Sequence, residues 1–85
     1  MLNEKTLWYK GYIKKDSKVI YDVFEERSEI WKRIRNSLRM RVRNDSLSMD
    51  DTILIHIQDA SGYFQSCPEV LGGYVHEEGK VSEFI

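Results

Sequence analysis

Residues 28–43 read SEIWKRIRNSLRMRVR, and the fold of the chain turns on what that stretch does. At about 100° per residue, Ile30, Trp31, Ile34, Leu38 and Val42 fall on one stripe of a helix. Ser28 is placed to cap the N-terminus, and Glu29 sits in the first turn, where the helix dipole favours an anion. The spacing predicts one amphipathic helix from about 28 to 43, ending near Asn44. Such a stripe needs an apolar surface to lie on, and the flanking sequence offers one.

Before the helix, residues 6–15 (TLWYKGYIKK) alternate and are rich in aromatic and β-branched types. Leu7, Tyr9 and Ile13 share one side of a predicted strand, and Trp8, Lys10, Tyr12 and Lys14 share the other. Gly11 is read as a bulge. Residues 15–18 (KDSK) form a turn signal, and residues 19–26 (VIYDVFEE) a second strand with Val19, Tyr21 and Val23 on one side. A β-hairpin therefore leads into the helix.

After the helix, residues 44–51 (NDSLSMDD) read as a polar loop, and 52–58 (TILIHIQ) as the clearest strand. Ile53, Ile55 and Ile57 point one way; Thr52, Leu54, His56 and Gln58 point the other. A turn is expected at 59–62, a strand at 63–66 and a helical turn at 67–73 behind Pro68. A last hairpin turned at Gly79 is expected over 74–84. The order is ββα followed by strands. It predicts an α+β fold, with one long helix packed on a small antiparallel sheet in a single compact domain over 1–85.

Composition narrows the class. At 41% hydrophobic and 12% aromatic, the chain can build a packed core and is not a disordered tail. The single cysteine, Cys67, excludes an intramolecular disulfide and a thiolate zinc site, and is read as a plain buried cysteine. No apolar run approaches the roughly 20 residues of a membrane span, and residues 1–10 carry no apolar signal core, so a cytoplasmic setting with no membrane partner is expected.

Charge is divided along the chain. Residues 1–26 carry five lysines and five acids; 27–43 carry six arginines and one lysine against one acid; 44–85 carry one lysine against eight acids. Outside 27–43 every cation is lysine. Arginine offers a rigid fork suited to phosphate or carboxylate and a flat face for stacking, which lysine lacks. On the helix, Lys32, Arg35, Arg39 and Arg43 form a second stripe beside the apolar one, with Asn36 on its edge. Arg41 falls inside the apolar wedge, and Arg33 points elsewhere.

No acid follows Glu29 until Asp45, so like charges at i,i+4 (Arg35, Arg39, Arg43) repel and call for an offset. A solvated helix face with long stems over apolar surface is the plain explanation. Three offsets compete with it: RNA or single-stranded nucleic acid, an acidic protein partner, or the acidic half of the same fold, within one chain or across a homodimer. Lys32, Arg33, Arg35, Asn36, Arg39, Arg41 and Arg43 are the expected nucleic-acid-binding residues. Trp8 and Tyr12 alternate with Lys10 and Lys14, an aromatic and basic mix that suits stacked bases, although packing under the helix would also use them.

His56 and His76 match no metal-ligand spacing and are read as structural or surface residues. Residues 71–73 (LGG) lack the lysine and hydroxyl of a phosphate loop. No catalytic residue, metal or cofactor is expected, and a small endoribonuclease is the least favoured alternative.

The run 7–39 (LWYKGYIKKDSKVIYDVFEERSEIWKRIRNSLR) is a lysine-rich aromatic hairpin running into a charged helix. With the short length and single proline, it resembles in style the small accessory proteins of T4-like phages. The resemblance implies a binder rather than an enzyme, with a host protein as one class of target, including RNA-cleaving toxins and defence nucleases. It carries over no functional residue. The expectation is a small RNA-binding protein acting by occupancy. The alternative is an inhibitor that binds a partner protein directly, or mimics nucleic acid through its acidic half.

Overall fold

The computed structural model describes residues 8–59 and 74–85. They form β1 (Trp8–Lys15), β2 (Lys18–Glu26), α1 (Arg27–Arg43), β3 (Thr52–Asp59), β4 (Tyr74–Lys80) and the single turn α2 (Val81–Phe84). The strands make one antiparallel sheet in the order β2-β1-β3-β4. The helix lies on one face of it, so the fold is α+β. The positions expected to form a turn, strand and helical turn over 60–73, and Cys67 among them, lie outside the described residues.

The hairpin closes at Asp16 and Ser17, whose φ values of 54° and 67° are the left-handed pair that a two-residue hairpin turn needs. Beyond the turn, Ile13 pairs with Tyr21 but Lys14 pairs with Val19, which leaves Ile20 as an extra residue. This is the bulge, and it lies in β2, not at Gly11. It reverses the alternation, so Ile20 packs against the core while Val19 turns to the outer face, 52% exposed. Val19 therefore does not share a side with Tyr21 and Val23.

Gly11 pairs regularly with Val23 and Ile57. Its role is close approach. A Cβ there would sit 3.3 Å from the His56 carbonyl oxygen and 3.4 Å from Ile34 Cδ1, so the missing side chain seats the helix on β1.

Ile30, Ile34 and Leu38 are buried, with Trp31 and Val42 partly buried beside them, as the 3.6-residue period requires. Each buried aliphatic side chain contributes about 2 kcal/mol. They meet Tyr9 and Ile13 of β1 and Ile53, Ile55 and Ile57 of β3. Burial raises the Tyr9 phenol pKa against the opposing pull of Arg27, with Asp59 adding to the rise. The helix begins one residue earlier than expected. Glu26 is its N-cap without a side-chain cap bond, and Ser28 lies inside the first turn.

The helix ends in a reversal. Asp45 donates its N–H to the Val42 carbonyl (3.1 Å) and Ser46 to the Arg41 carbonyl (2.8 Å), with Asp45 at φ 67°. This is the paired C-terminal pattern that glycine usually occupies. It turns the chain back and drops Leu47, from a stretch read as polar, into the core.

Residues 74–80 run as one continuous strand along β3, with Gly79 opposite Ile53, and α2 follows directly. The expected hairpin at Gly79 is replaced by this arrangement. The β3 ladder offers a partner to every residue of 74–80, and Val81 is then buried as the chain turns into α2. Backbone bonds from Val81 to the Asp51 carbonyl and from Ser82 to that of Met49 hold α2 to the loop before β3.

Candidate nucleic-acid interface

The helix and the sheet present two separate surfaces. On the helix, tertiary contacts answer part of the charge that the local sequence leaves open. Arg33 Nε donates to Glu25 Oε2 at 3.0 Å, using an acid from the end of β2. Lys32 lies 3.9 Å from Glu29, a long i,i+3 pair between exposed side chains that adds little.

Arg41 is a structural clamp. Nη1 donates to Ser37 Oγ (2.5 Å) and Nη2 to the Ile20 carbonyl (2.5 Å), and the guanidinium lies 5.4 Å from the Tyr21 ring centroid. Its place in the apolar wedge is thereby explained. It satisfies buried Ser37 and ties the helix to the bulge in β2.

Arg35 is half-buried in a recess between the helix and the β4 edge, among Trp31, Glu77, Glu78, Glu83 and Phe84. The acidic C-terminal part of the fold therefore surrounds this arginine, although no carboxylate among the described residues comes within ion-pair distance. Arg39, Arg43 and Asn36 stay exposed, beside Met40 at 62%. Among the described residues, Arg39 and Arg43 have no ion pair. The expected stripe thus contracts to Arg39 and Arg43, with Lys32 and Arg35 at its margins.

The sheet face away from the helix is built by the even positions of β1. Trp8, Lys10, Tyr12 and Lys14 all lie there, opposite in direction to Tyr9, Gly11 and Ile13. Trp8 and Tyr12 therefore do not pack under the helix. Trp8 stacks on Phe24 at 5.1 Å between centroids and 16° between planes. Tyr12 stacks on His56 at 4.6 Å and 2°, and His56 and His76 form a T-shaped pair at 5.7 Å. Lys14 Nζ lies 5.6 Å from the Tyr12 ring centroid, and His56 Nε2 lies 3.3 Å from Gln58 Oε1.

Strand register explains the assembly. His56 is the partner of Tyr12 on one side and of His76 on the other, which makes one row across three strands. The sequence does not group Phe24, His56 and His76 with Trp8 and Tyr12, because each lies on a different strand from them. The alternation of 52–58 placed His56 on the right face, but only the pairing places it against Tyr12. Among the described residues, no helix or loop covers this face. Phe24 is 55% exposed, and Lys10, Asp22, Gln58 and His76 are exposed.

Among the described residues, no group of three or more His, Cys, Asp or Glu side chains is placed to hold a metal ion, and no helix is long and apolar enough to cross a membrane. Comparison of the chain with protein-family models, curated proteins and solved structures finds no match.

Proposed function

We propose that this protein binds single-stranded nucleic acid, RNA in the first place, and acts by occupying it. The observation that carries the reading is the sheet face away from α1, uncovered among the described residues, where Trp8–Phe24 and Tyr12–His56–His76 form two aromatic groups flanked by Lys10 and Lys14. A four-stranded sheet with aromatic side chains on an uncovered face can stack unpaired bases, because every base has a π-face. Arg39 and Arg43, with Lys32 and Arg35, form an electrostatic surface on the opposite side, where a longer strand can be held through its phosphates. RNA held in this way is withheld from a nuclease or toxin.

The test is purification with and without nuclease treatment. Co-purified nucleic acid, read from the ultraviolet absorbance ratio and lost in a Trp8→Ala/Tyr12→Ala variant, supports the reading. A nucleic-acid-free protein that binds no single-stranded oligonucleotide at low salt defeats it.

A second reading, direct binding of a protein partner, draws on the β4 edge. Glu77 and Glu78 are exposed there on one of the two outer strands among the described residues, with Glu83 beside them. A partner complex that survives nuclease treatment favours it.

A further inference from the structure

The sheet face away from α1 is not flat. Between the two aromatic groups lies a concavity of about 530 Å³, lined by Lys10, Tyr12, Asp22, Phe24, His56 and Gln58. The register explains its walls. Lys10 lies between Phe24 on β2 and Gln58 on β3, while the next outward row is Asp22, Tyr12 and His56. Phe24, backed by Trp8, closes one end; the Tyr12–His56 stack closes the other. Asp22 and Lys10 both line this space and are exposed, yet neither forms an ion pair or side-chain hydrogen bond, with the other or with any other described residue.

We infer that this concavity is a base-reading pocket selective for guanine. The inference rests on the reading that this face binds single-stranded nucleic acid. The two aromatic ends supply stacking that any base can use. Selectivity comes from the polar pair. An ionised carboxylate only accepts hydrogen bonds and an ammonium only donates them. Guanine alone among the four bases offers two adjacent donors, N1–H and the N2 amine, which a carboxylate can accept together. Its O6 and N7 are acceptors suited to a lysine.

Adenine and cytosine offer one amine next to a ring acceptor, which would face the Asp22 carboxylate unfavourably. Uracil offers one N–H between two carbonyls. Gln58 can donate or accept and adds contact without selecting. The charge of the pair is also suited to the task. An acid on a nucleic-acid face repels phosphate, so Asp22 there weakens binding unless a base donor meets it.

The experiment uses the full-length protein and short fluorescent oligouridines carrying one central guanosine, inosine or adenosine, with affinities from anisotropy at low salt. Guanosine is expected to bind about tenfold more tightly than adenosine, the scale of one good bidentate contact. Inosine, which keeps N1–H and O6 but lacks the N2 amine, is expected between them. Asp22→Asn is expected to level the three, and a circular dichroism spectrum and melting curve check its fold.

Equal affinity for guanosine and adenosine in the unsubstituted protein overturns the pocket. If that binding is still lost in Trp8→Ala, the sheet-face reading survives its failure. Asp22→Asn that tightens all three probes equally, with the preference intact, also overturns the pocket. Failure to bind any of the probes, including the case of a stable dimer that buries this face, overturns both.

Discussion

Tyr12 and His56 stand directly opposite each other on β1 and β3, with rings parallel to within 2° and centroids 4.6 Å apart. Parallel rings at that spacing stand off the sheet rather than lying flat on it. Each shields one face of the other, and the outward edges of both rings point away from the sheet. His76 adds an edge contact from β4, so the row is braced from three strands. A platform fixed in advance loses little side-chain entropy on binding, which is the condition for stacking to contribute fully.

Trp8→Ala and Tyr12→Ala should each weaken binding of a short single-stranded RNA by about 1–3 kcal/mol, the range for loss of one stacked base. Both residues lie on the face away from the core, so the melting temperature should shift by only a few degrees. Anisotropy titrations with a parallel melting curve separate the two effects. Full retention of affinity in the double variant would remove the sheet face from consideration.

Charge reversal on the helix should behave differently. Arg39→Glu/Arg43→Glu should leave affinity for a short oligonucleotide nearly unchanged, because these residues lie on the opposite side of the domain. For a long single strand it should reduce both the affinity and the salt slope, by about one unit for each lost phosphate contact. Titration over a range of salt concentrations with both lengths of RNA gives the answer.

Arg41 is expected to matter for folding rather than for binding. Arg41→Ala removes the bonds to Ser37 Oγ and the Ile20 carbonyl and leaves Ser37 buried without that partner. A loss of about 1–3 kcal/mol follows, seen as a lower denaturation midpoint. Arg41→Lys should recover only part of it, since an ammonium cannot span both acceptors as the planar fork does.

Gly11→Ala should destabilise by about 1 kcal/mol. The added methyl meets the His56 carbonyl at 3.3 Å, and that oxygen is held in the β1–β3 pairing. The reduced freedom of the unfolded chain offsets part of the strain. Gly11→Val should be worse, because its branches press on Ile34 as well. Chemical denaturation of the two variants provides the comparison.

Asp51 should set part of the acid limb of stability. Its carboxylate accepts the Ser48 N–H at 2.8 Å and lies 3.3 Å from Lys15 Nζ. The Ser48 bond, with help from Lys15, holds its pKa below the ordinary value of 3.8. A lowered native pKa means that the folded state releases its proton more readily than the unfolded one. The contribution is therefore full above that ordinary value and is lost as pH falls through the native pKa. Asp51→Asn should melt lower than the unsubstituted protein at neutral pH, and the two melting temperatures should converge in strong acid.

The hairpin, the helix and the central strand were legible in the sequence because each carries its period locally. Ile53, Ile55 and Ile57 alternate with polar neighbours, and Ile30, Ile34 and Leu38 recur at helical spacing. Other features were not legible. Gly79 looks like a turn residue, yet it lies in an extended strand because β3 offers it a partner. The bulge at Ile20 has no glycine to announce it, and it alone moves Val19 to the outer face. Arg33 looked uncompensated because its acid, Glu25, is supplied by β2 across a tertiary contact rather than by the next helical turn.

By itself the sequence determined which side chains share a side of β1, β3 and α1, and that apolar and cationic stripes run side by side along α1. Those properties follow from the periods of 2 and 3.6 and need no neighbour. Only the tertiary structure decided that α1 covers the Tyr9 and Ile13 side and that no described helix or loop covers the Trp8 and Tyr12 side. It also decided that Phe24, His56 and His76 join that side, and that, among the described residues, Arg41 finds partners while Arg39 and Arg43 find no ion pair. The physical reason is that one helix can bury one face of a sheet. Which face it takes, and which residues from distant strands meet on the other, depends on register and packing, and these exist only once the chain has closed on itself.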